Sequence, residues 1–497
     1  MNTKLHPVML AGTGSDVGKS VLATALCRIF LQDGYAPAPF KAQNMALNSY
    51  ATPEGLEIGR AQAVQAEAAG VPCHTDMNPL LLKPQSDHTS QVVLNGRPIG
   101  NRDAYDYFRK EGREPLRAAV NAAFDRLAAR YNPIVMEGAG SLAEINLRDS
   151  DLVNIPMARH AGADILLVGD IDRGGVFASV YGSLMLLPPE DRALVKGIII
   201  NKFRGDLRLF EDGRRMLEER CGIPVLGVVP YFDDIHIEAE DSVALSGKSF
   251  HAEQGKVNLA VVLLRHISNF TDFDALERDE RIHLFYTDNV DELSRADIIL
   301  IPGSKSTIDD LLTLRRSGVA EAILRAARRG ATVLGICGGY QMMGSLVSDP
   351  DHVEGPAESV PGLGLLPVET ALTHEKVTRQ VRFTLTSGSP ELAGYEIHMG
   401  RTTLLSGAKS TVLNHLADGT EDGFRVGNCL GTYIHGILDN PAFIDYLLQP
   451  FADRLSDDAP AEDPQAFKER QYDLLAAHVR RYVDIPAVYR ILTEERQ

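Results

Sequence analysis

Val333-Leu334-Gly335-Ile336-Cys337-Gly338-Gly339-Tyr340-Gln341 is the stretch from which the rest of the chain is best read. An apolar, β-prone run from Ala331 to Ile336 ends in Gly-Ile-Cys-Gly-Gly, and a helix-prone segment, Tyr340 to Leu346, follows at once. That is the layout of a nucleophile elbow. A sharp strand-to-helix turn lifts the nucleophile clear of the sheet, and glycines on either side let the backbone crowd in. The nucleophile would be Cys337. A helix N-terminus favours thiolate over thiol, and the thiolate is the reactive form. The competing reading is a small buried cysteine in a glycine-rich turn. The glycine frame favours the nucleophile.

A cysteine nucleophile needs a base, and a histidine far along the chain can supply it. His435, in Leu430-Gly431-Thr432-Tyr433-Ile434-His435-Gly436, follows an apolar strand. Glycines stand on both sides of it, which makes it the strongest of the 14 histidines. His398, in Gly394-Tyr395-Glu396-Ile397-His398-Met399-Gly400, is the runner-up. The N–H groups of Gly303 and Gly338 suit an oxyanion hole.

At 497 residues the chain is too long for one ordinary core, so at least two domains are expected. With 44% hydrophobic and 24% charged residues it reads as a soluble globular protein. No apolar run is long enough for a membrane span, and the first residues lack a signal-peptide core, so a cytoplasmic location is expected. Five scattered cysteines without a CxxC pair argue against a disulfide framework or a structural metal. A formal net charge of −17 argues against nucleic acid and anionic membranes as partners. An anionic substrate would need a local cationic pocket.

The N-terminal part opens with a short apolar strand, Val8 to Ala11, then Gly12-Thr13-Gly14-Ser15-Asp16-Val17-Gly18-Lys19-Ser20, then a predicted helix from Val21 to Leu31. Strand, glycine-rich loop and helix make a P-loop. Gly12, Gly14 and Gly18 let backbone N–H groups cradle phosphates, Lys19 reaches the β/γ-phosphates, and Ser20 is a magnesium ligand. The spacing departs from Gly-x4-Gly-Lys, because Thr13 sits where the first glycine belongs. Lys41, just past a second strand, suits a further phosphate contact. Asn44 and Asn48 either hydrogen-bond a polar substrate or cap a turn.

Glu57 to Ala69 reads as a helix, and Asp103 to Tyr131 as a long amphipathic one. The strand Ile134 to Met136 ends in Glu137, a carboxylate at the strand's C-terminal edge that would face magnesium. Asp170, Asp172 and Arg173 after the next strand serve magnesium and the phosphoryl group, or cap a helix. Asn201 ends a later strand, where it suits adenine recognition, and Arg204 follows it. Strands alternating with helices predict a parallel sheet with ligands at its C-terminal edge.

Domain limits follow: 1–232 for the P-loop domain, 233–256 for an acidic linker, 257–445 for the elbow domain, and 446–497 for a charged helical tail. The fold class expected is α/β with two doubly wound domains, a P-loop NTPase-like sheet and then a flavodoxin-like one.

Gly-Thr-x-x-x-Val-Gly-Lys-Ser resembles the dethiobiotin synthetase group of P-loop enzymes. Gly-x-Cys-Gly-Gly with a late Thr-Tyr-Ile-His resembles the class I glutamine amidotransferase domain. Their combination resembles the corrinoid amide synthases. Four segments carry that likeness: Phe40 to Ser49, Asp170 to Ala178, Asn201 to Asp206 and Gly394 to Gly400. It runs from Val8 to about Asp439.

The resemblance implies that ATP, Mg2+ and glutamine are used to amidate a corrinoid polycarboxylate. Phe40 to Ser49 points to the branch that amidates adenosylcobyrinic acid a,c-diamide at its b, d, e and g carboxylates. Asn44, Asn48, Asp172, Arg173 and Arg204 are the substrate-side candidates. Lys41, Lys83, Arg173 and Arg204 offer positive charge. Many class I amidotransferases carry Glu two residues after the catalytic histidine. Here that position is Ile437, so a Cys–His dyad is expected, with Glu396 the candidate to orient His435. Three alternatives stay open: the branch that makes the a,c-diamide, a P-loop switch ATPase with an inactive amidotransferase domain, and an ATP-independent glutaminase.

Overall fold

The computed structural model describes residues 4–85, 89–103, 107, 113–240, 247–355, 357–455 and 463–494. Its first sheet has six parallel strands. Their spatial order is Val225–Pro230, Val195–Phe203, Asp164–Asp170, Val8–Gly12, Ile134–Glu137, Ala38–Phe40. Helices cover both faces, so Val8–Gly12 and Asp164–Asp170 are buried throughout. One apolar cluster on this sheet joins Leu10, Leu22, Leu26 and Ile29 to Tyr472, Leu475, Val479 and Val488. The C-terminal helices Pro464–Tyr482 and Ile485–Thr493 therefore belong to the core of the N-terminal sheet. His6 N–H donates to Leu492 O at 2.9 Å, tying the two ends of the chain together.

The second sheet has 11 strands. Ile282–Thr287, Val257–Val262, Ile298–Ile301, Thr332–Ile336 and Cys429–Thr432 run parallel in that order. Glu421–Val426, Thr411–Leu416, Val368–Leu385 and Leu392–Leu404 extend it antiparallel. Thr332–Ile336 lies between the strands that lead into Gly303 and His435, so topology brings these three positions to one edge. The fold class is the α/β, doubly wound arrangement expected. Among the described residues no helix is long and apolar enough to cross a membrane.

Two helix expectations are corrected. Glu57–Gly59 is a strand, and the helix starts only at Arg60. Asp103 closes the strand Arg97–Asp103, and the helix is Glu114–Ala128. Positions 104–106 and 108–112 of that expected helix lie outside the described residues. The cause is a hairpin: Thr89–Leu94 pairs with Arg97–Asp103 across Asn95-Gly96, whose φ angles are 47° and 78°. Asn-Gly is the preferred pair for such a turn. With Gln43–Met45 and Leu80–Pro84 these strands make a small four-stranded sheet.

Two candidate active sites and the seam between them

The P-loop lies as expected between the strand Val8–Gly12 and the helix Lys19–Gln32. Gly18 has φ 96°, and a Cβ there would stand 2.1 Å from the Asn201 amide nitrogen. Only glycine meets both conditions. The Asn201 side chain donates to Val17 O at 2.9 Å, so it holds the loop's own backbone. Lys19 Nζ donates to Gly14 O at 2.9 Å and Gly140 O at 3.2 Å. Burial holds the Lys19 ammonium below the usual lysine range, against the pull of Glu137.

Ser20 Oγ donates toward Glu137 Oε1 and Glu240 Oε2, both at 2.8 Å. Lys41 Nζ bridges the same carboxylates at 2.8 and 2.7 Å. Burial opposes its charge, but Glu137 and then Glu240 raise its pKa. A hydroxyl between two carboxylates is a hard oxygen set of the kind magnesium takes, so these residues fit that ion. Asp170 stands on the neighbouring strand, paired with Lys202 at 2.9 Å. The cavity over the loop holds about 730 Å3 and is lined by Lys19, Lys41, Asn44, Glu137 and Glu240.

Glu240 and Glu238 were not read as site residues, because they sit in an acidic stretch that looks like linker. Glu238 pairs with Arg60 at 2.5 Å and Lys468 at 2.8 Å. Asp172 pairs with Arg204, whose guanidinium stacks 3.6 Å over the Tyr231 ring, and Arg173 lies 3.7 Å from Asp16. These three form an exposed group on the Asp16 side of the loop, apart from Asn44 and Asn48. Asn44 donates to Gln62 at 3.0 Å and Asn48 accepts from Phe270 N–H at 3.3 Å, both buried.

At the second sheet Cys337 sits between the strand Thr332–Ile336 and the helix Gly338–Met343 with φ 53°. A non-glycine residue held in that region is the strained turn that an elbow requires. Close packing explains the glycines: a Cβ on Gly339 would come within 2.0 Å of Ile301 O. The Cys337 sulfur donates to Ile397 O at 3.5 Å, and His435 is close enough for the two groups to interact electrostatically. His435 Nδ1 stands 2.7 Å from Asp272 Oδ2, and Asp272 Oδ1 accepts from Gly436 N–H at 2.9 Å. Burial works against the imidazolium, yet Asp272 and then Cys337 outweigh it and push the His435 pKa up to about 10.

The carboxylate against His435 is that of Asp272, not of Glu396, the candidate named from the sequence. The Glu396 carboxylate is taken by Arg379. Gly303 lines the site: a Cβ there would lie 3.2 Å from His435 Cε1. His398 stacks on Tyr433 with ring centroids 3.7 Å apart, and burial pulls its pKa down to about 3.

The halves meet along a buried polar seam. Glu57 of the P-loop half receives Lys83 at 2.7 Å and, across the seam, Lys376. Gln91 Oε1 accepts from Lys305 Nζ at 3.2 Å. Lys83, Lys305, Lys376 and Glu354 line a small cavity together with Cys337 and Gln341. Of the four residues read as positive charge for the substrate, Lys83 belongs here, Lys41 to the P-loop pocket, and Arg173 and Arg204 to the exposed side.

Comparison with known proteins follows the same division. Residues 8–243 match the CobQ/CobB/MinD/ParA nucleotide binding domain, and residues 258–443 the CobB/CobQ-like glutamine amidotransferase domain. The chain is 74% identical to cobyric acid synthase of Bacteroides fragilis, over 99% of this chain and all of that one. It is 69% identical to that of Phocaeicola vulgatus over 99% of both chains, and 47% identical to that of Citrobacter koseri over 99% of both. A nucleotide-binding half and an amidotransferase half thus lie in one chain that matches these relatives end to end. The chain belongs to the cobyric acid synthase family, glutamine-dependent amide-forming ligases of cobalamin biosynthesis.

Proposed function

We propose that the chain amidates adenosylcobyrinic acid a,c-diamide at four side-chain carboxylates (b, d, e and g) to give adenosylcobyric acid, splitting each amidation between the two sites. A carboxylate is a poor electrophile, so it is first phosphorylated. The P-loop amides and Lys19 hold the phosphates of ATP over the 730 Å3 cavity. Ser20 and Glu137 would hold Mg2+, with Glu240 a further oxygen donor, while Asp170 is engaged by Lys202. Such an ion would supply charge neutralisation at the phosphate oxygens; the substrate carboxylate attacks the γ-phosphorus of ATP, forming an acyl phosphate and releasing ADP. Lys41 balances the two pocket carboxylates. Asn44, which lines the cavity, is a candidate substrate contact, Asn48 is engaged by Phe270 N–H, and Asp172, Arg173 and Arg204 are candidates at the exposed rim. Asn201 keeps the loop in shape for the nucleotide.

Ammonia comes from the second site. Cys337 sulfur attacks the amide carbon of glutamine, the N–H groups of Gly303 and Gly338 take the oxyanion, and His435 protonates the departing ammonia. Water then releases glutamate, with His435 as base. Lys305 and Glu354 suit the charged end of glutamine. Burial lowers the Lys305 pKa, helped by Lys376 and Lys83, and burial raises that of Glu354. The α-carboxylate and α-ammonium of the substrate would supply the missing counter-charges. Released ammonia, kept from water by the buried seam, stays unprotonated and attacks the acyl carbon, displacing inorganic phosphate and a proton to leave the amide. A cytoplasmic setting suits a chain that consumes ATP and keeps a reactive thiol.

The observation that carries this reading is the intact Cys337–His435–Asp272 arrangement joined by a buried seam to the P-loop pocket. It favours a working glutaminase over a switch ATPase with an inactive second domain. The test is a product assay with adenosylcobyrinic acid a,c-diamide, Mg-ATP and either glutamine or ammonia. Wild type should use both nitrogen donors and Cys337→Ala only ammonia. ATP hydrolysis with no amidated corrinoid from either form would sink the substrate assignment.

A further inference from the structure

The acid of the triad stands on a short turn, Phe270–Phe273, and that turn is held from the other half of the chain. Asn269, which precedes it, has φ 52° and ψ 41°, a left-handed conformation that asparagine tolerates better than most residues. Its Oδ1 accepts from Ser49 N–H at 3.0 Å. Its Nδ2 donates to the Tyr395 hydroxyl at 3.3 Å, and its carbonyl accepts from Asp272 N–H at 3.0 Å. Phe270 N–H donates to Asn48 Oδ1 at 3.3 Å.

The histidine is braced from the same side. Tyr395 stacks on His435 with centroids 5.4 Å apart, and the backbones of the two residues exchange hydrogen bonds at 3.0 and 2.8 Å. Tyr395 also meets Tyr50 in an edge-to-face contact, with ring centroids 4.7 Å apart. Ala51 O accepts from Gln380 Nε2 at 3.0 Å. Four consecutive residues of the P-loop half, Asn48 to Ala51, thus lie across the back of the triad. Asn48, Ser49, Asn269 and Tyr395 are all buried.

We propose that Asn48–Ala51 is a positioning strap that sets the His435–Asp272 geometry, so that the glutaminase site is complete only when the P-loop half is docked on it. This rests on the glutaminase reading of Cys337 but not on the identity of the corrinoid. The physical case is one of tolerance. Proton transfer requires heavy atoms within about 2.6–3.2 Å, so small shifts of the Asp272 turn or the His435 ring are enough to spoil it. The strap supplies two hydrogen bonds to the acid's turn and, through Tyr50, an aromatic contact to the Tyr395 ring that stacks on the base.

The test measures glutamate release from glutamine by the full chain for wild type, Tyr50→Ala, Tyr50→Phe and Asn269→Gly. Ammonia-dependent amidation of adenosylcobyrinic acid a,c-diamide is followed in parallel. Asn269→Gly keeps the left-handed backbone and removes only the side-chain link, so it remains informative where Tyr50→Ala folds poorly. Tyr50→Ala and Asn269→Gly should lower kcat for glutamine by about tenfold or more with little change in KM, the pattern of a lost transition-state interaction. Both should shift the pH profile of glutamine hydrolysis, keep ammonia-dependent amidation, and leave Tyr50→Phe near wild type. Wild-type kcat in both variants would overturn the proposal, as would parallel loss of the ammonia-dependent reaction. Wild type that hydrolyses glutamine but amidates no corrinoid would instead count against the substrate assignment, with the strap still tested by glutamate release.

Discussion

His435 Nδ1 and Asp272 Oδ2 lie 2.7 Å apart, although 163 residues separate them in the chain. Both side chains are almost wholly buried. The contact fixes which ring nitrogen faces the acid and leaves the other for Cys337 and the substrate. Asp272→Asn keeps the size and removes the charge. By analogy with the acid of serine-protease triads, glutamine hydrolysis should fall by about 10²–10⁴-fold, with ammonia-dependent amidation kept. Steady-state glutamate release checks this, and a loss below about threefold would demote Asp272 to a structural role.

The same pair predicts a pH dependence of stability. The folded-state pKa of His435 is raised from 6.5 to about 10. Its stabilisation is therefore present in full below the unfolded value and lost as pH rises through the folded one. Between those limits the unfolded chain binds fewer protons, and stability should fall by about 1.4 kcal/mol per pH unit from this group. Denaturant midpoints at several pH values should show the decline in wild type, and Asp272→Asn should flatten it.

Glu240 is the residue of the P-loop pocket that its sequence context hides, and Glu240→Gln tests its assignment. The variant keeps hydrogen bonding to Ser20 but removes one of the two carboxylates that Lys41 bridges. ATP-dependent steps should slow, with the Mg2+ requirement moving to higher concentration, while glutamine hydrolysis at Cys337 stays near wild type. Magnesium titrations of ATP turnover read the first effect. An unchanged magnesium midpoint would remove Glu240 from the donor set.

What was legible in the chain was local. The P-loop and the elbow each declare themselves within about ten residues, because glycine spacing reports backbone geometry directly. His435 could be singled out by its flanking glycines. Asp272 and Glu240 could not. Nothing in Asn-Phe-Thr-Asp-Phe-Asp marks one aspartate as facing a histidine that arrives on a strand edge much later in the chain. Glu240 lies in a run of acids whose composition is that of a linker. The hairpin at Asn95-Gly96 was a missed signal rather than an absent one: the turn pair was there, but the apolar spacing farther on drew the helix too far back. Seam residues such as Glu57 and Lys376 carry no local mark at all, since only docking makes them partners.

Glu57 offers the sharpest stability test of that docking. Burial alone would raise its pKa, but Lys376 and Lys83 overcome this and hold the carboxyl below the usual range. Its contribution is therefore present above the ordinary glutamate value and lost as pH falls through the lower folded one. Glu57→Gln leaves two buried ammonium groups facing an amide. Breaking a buried ion pair in this way costs about 3–5 kcal/mol. Denaturant unfolding at neutral pH should show that loss, and the gap from wild type should narrow in acid. A variant as stable as wild type would mean that the seam tolerates the two lysines unpaired.

Gly339→Ala tests the elbow by sterics alone. The added Cβ would meet Ile301 O at 2.0 Å and Pro302 O at 2.8 Å. Both obstacles are backbone in the adjoining strand and turn, so neither can swing aside as a side-chain tip would. Relief requires the Cys337 turn to move off its neighbours, which spoils its alignment with His435 and costs about 1–3 kcal/mol of overpacking strain or more. Glutamine hydrolysis should be lost while ammonia-dependent amidation survives at temperatures where the variant stays folded. Gly182→Ala is the matched control. It lies in the helix Val176–Met185 with no atom within 4 Å of the new Cβ, and alanine there should stabilise by up to about 1 kcal/mol. Equal behaviour of the two variants would mean that the elbow is looser than its packing implies.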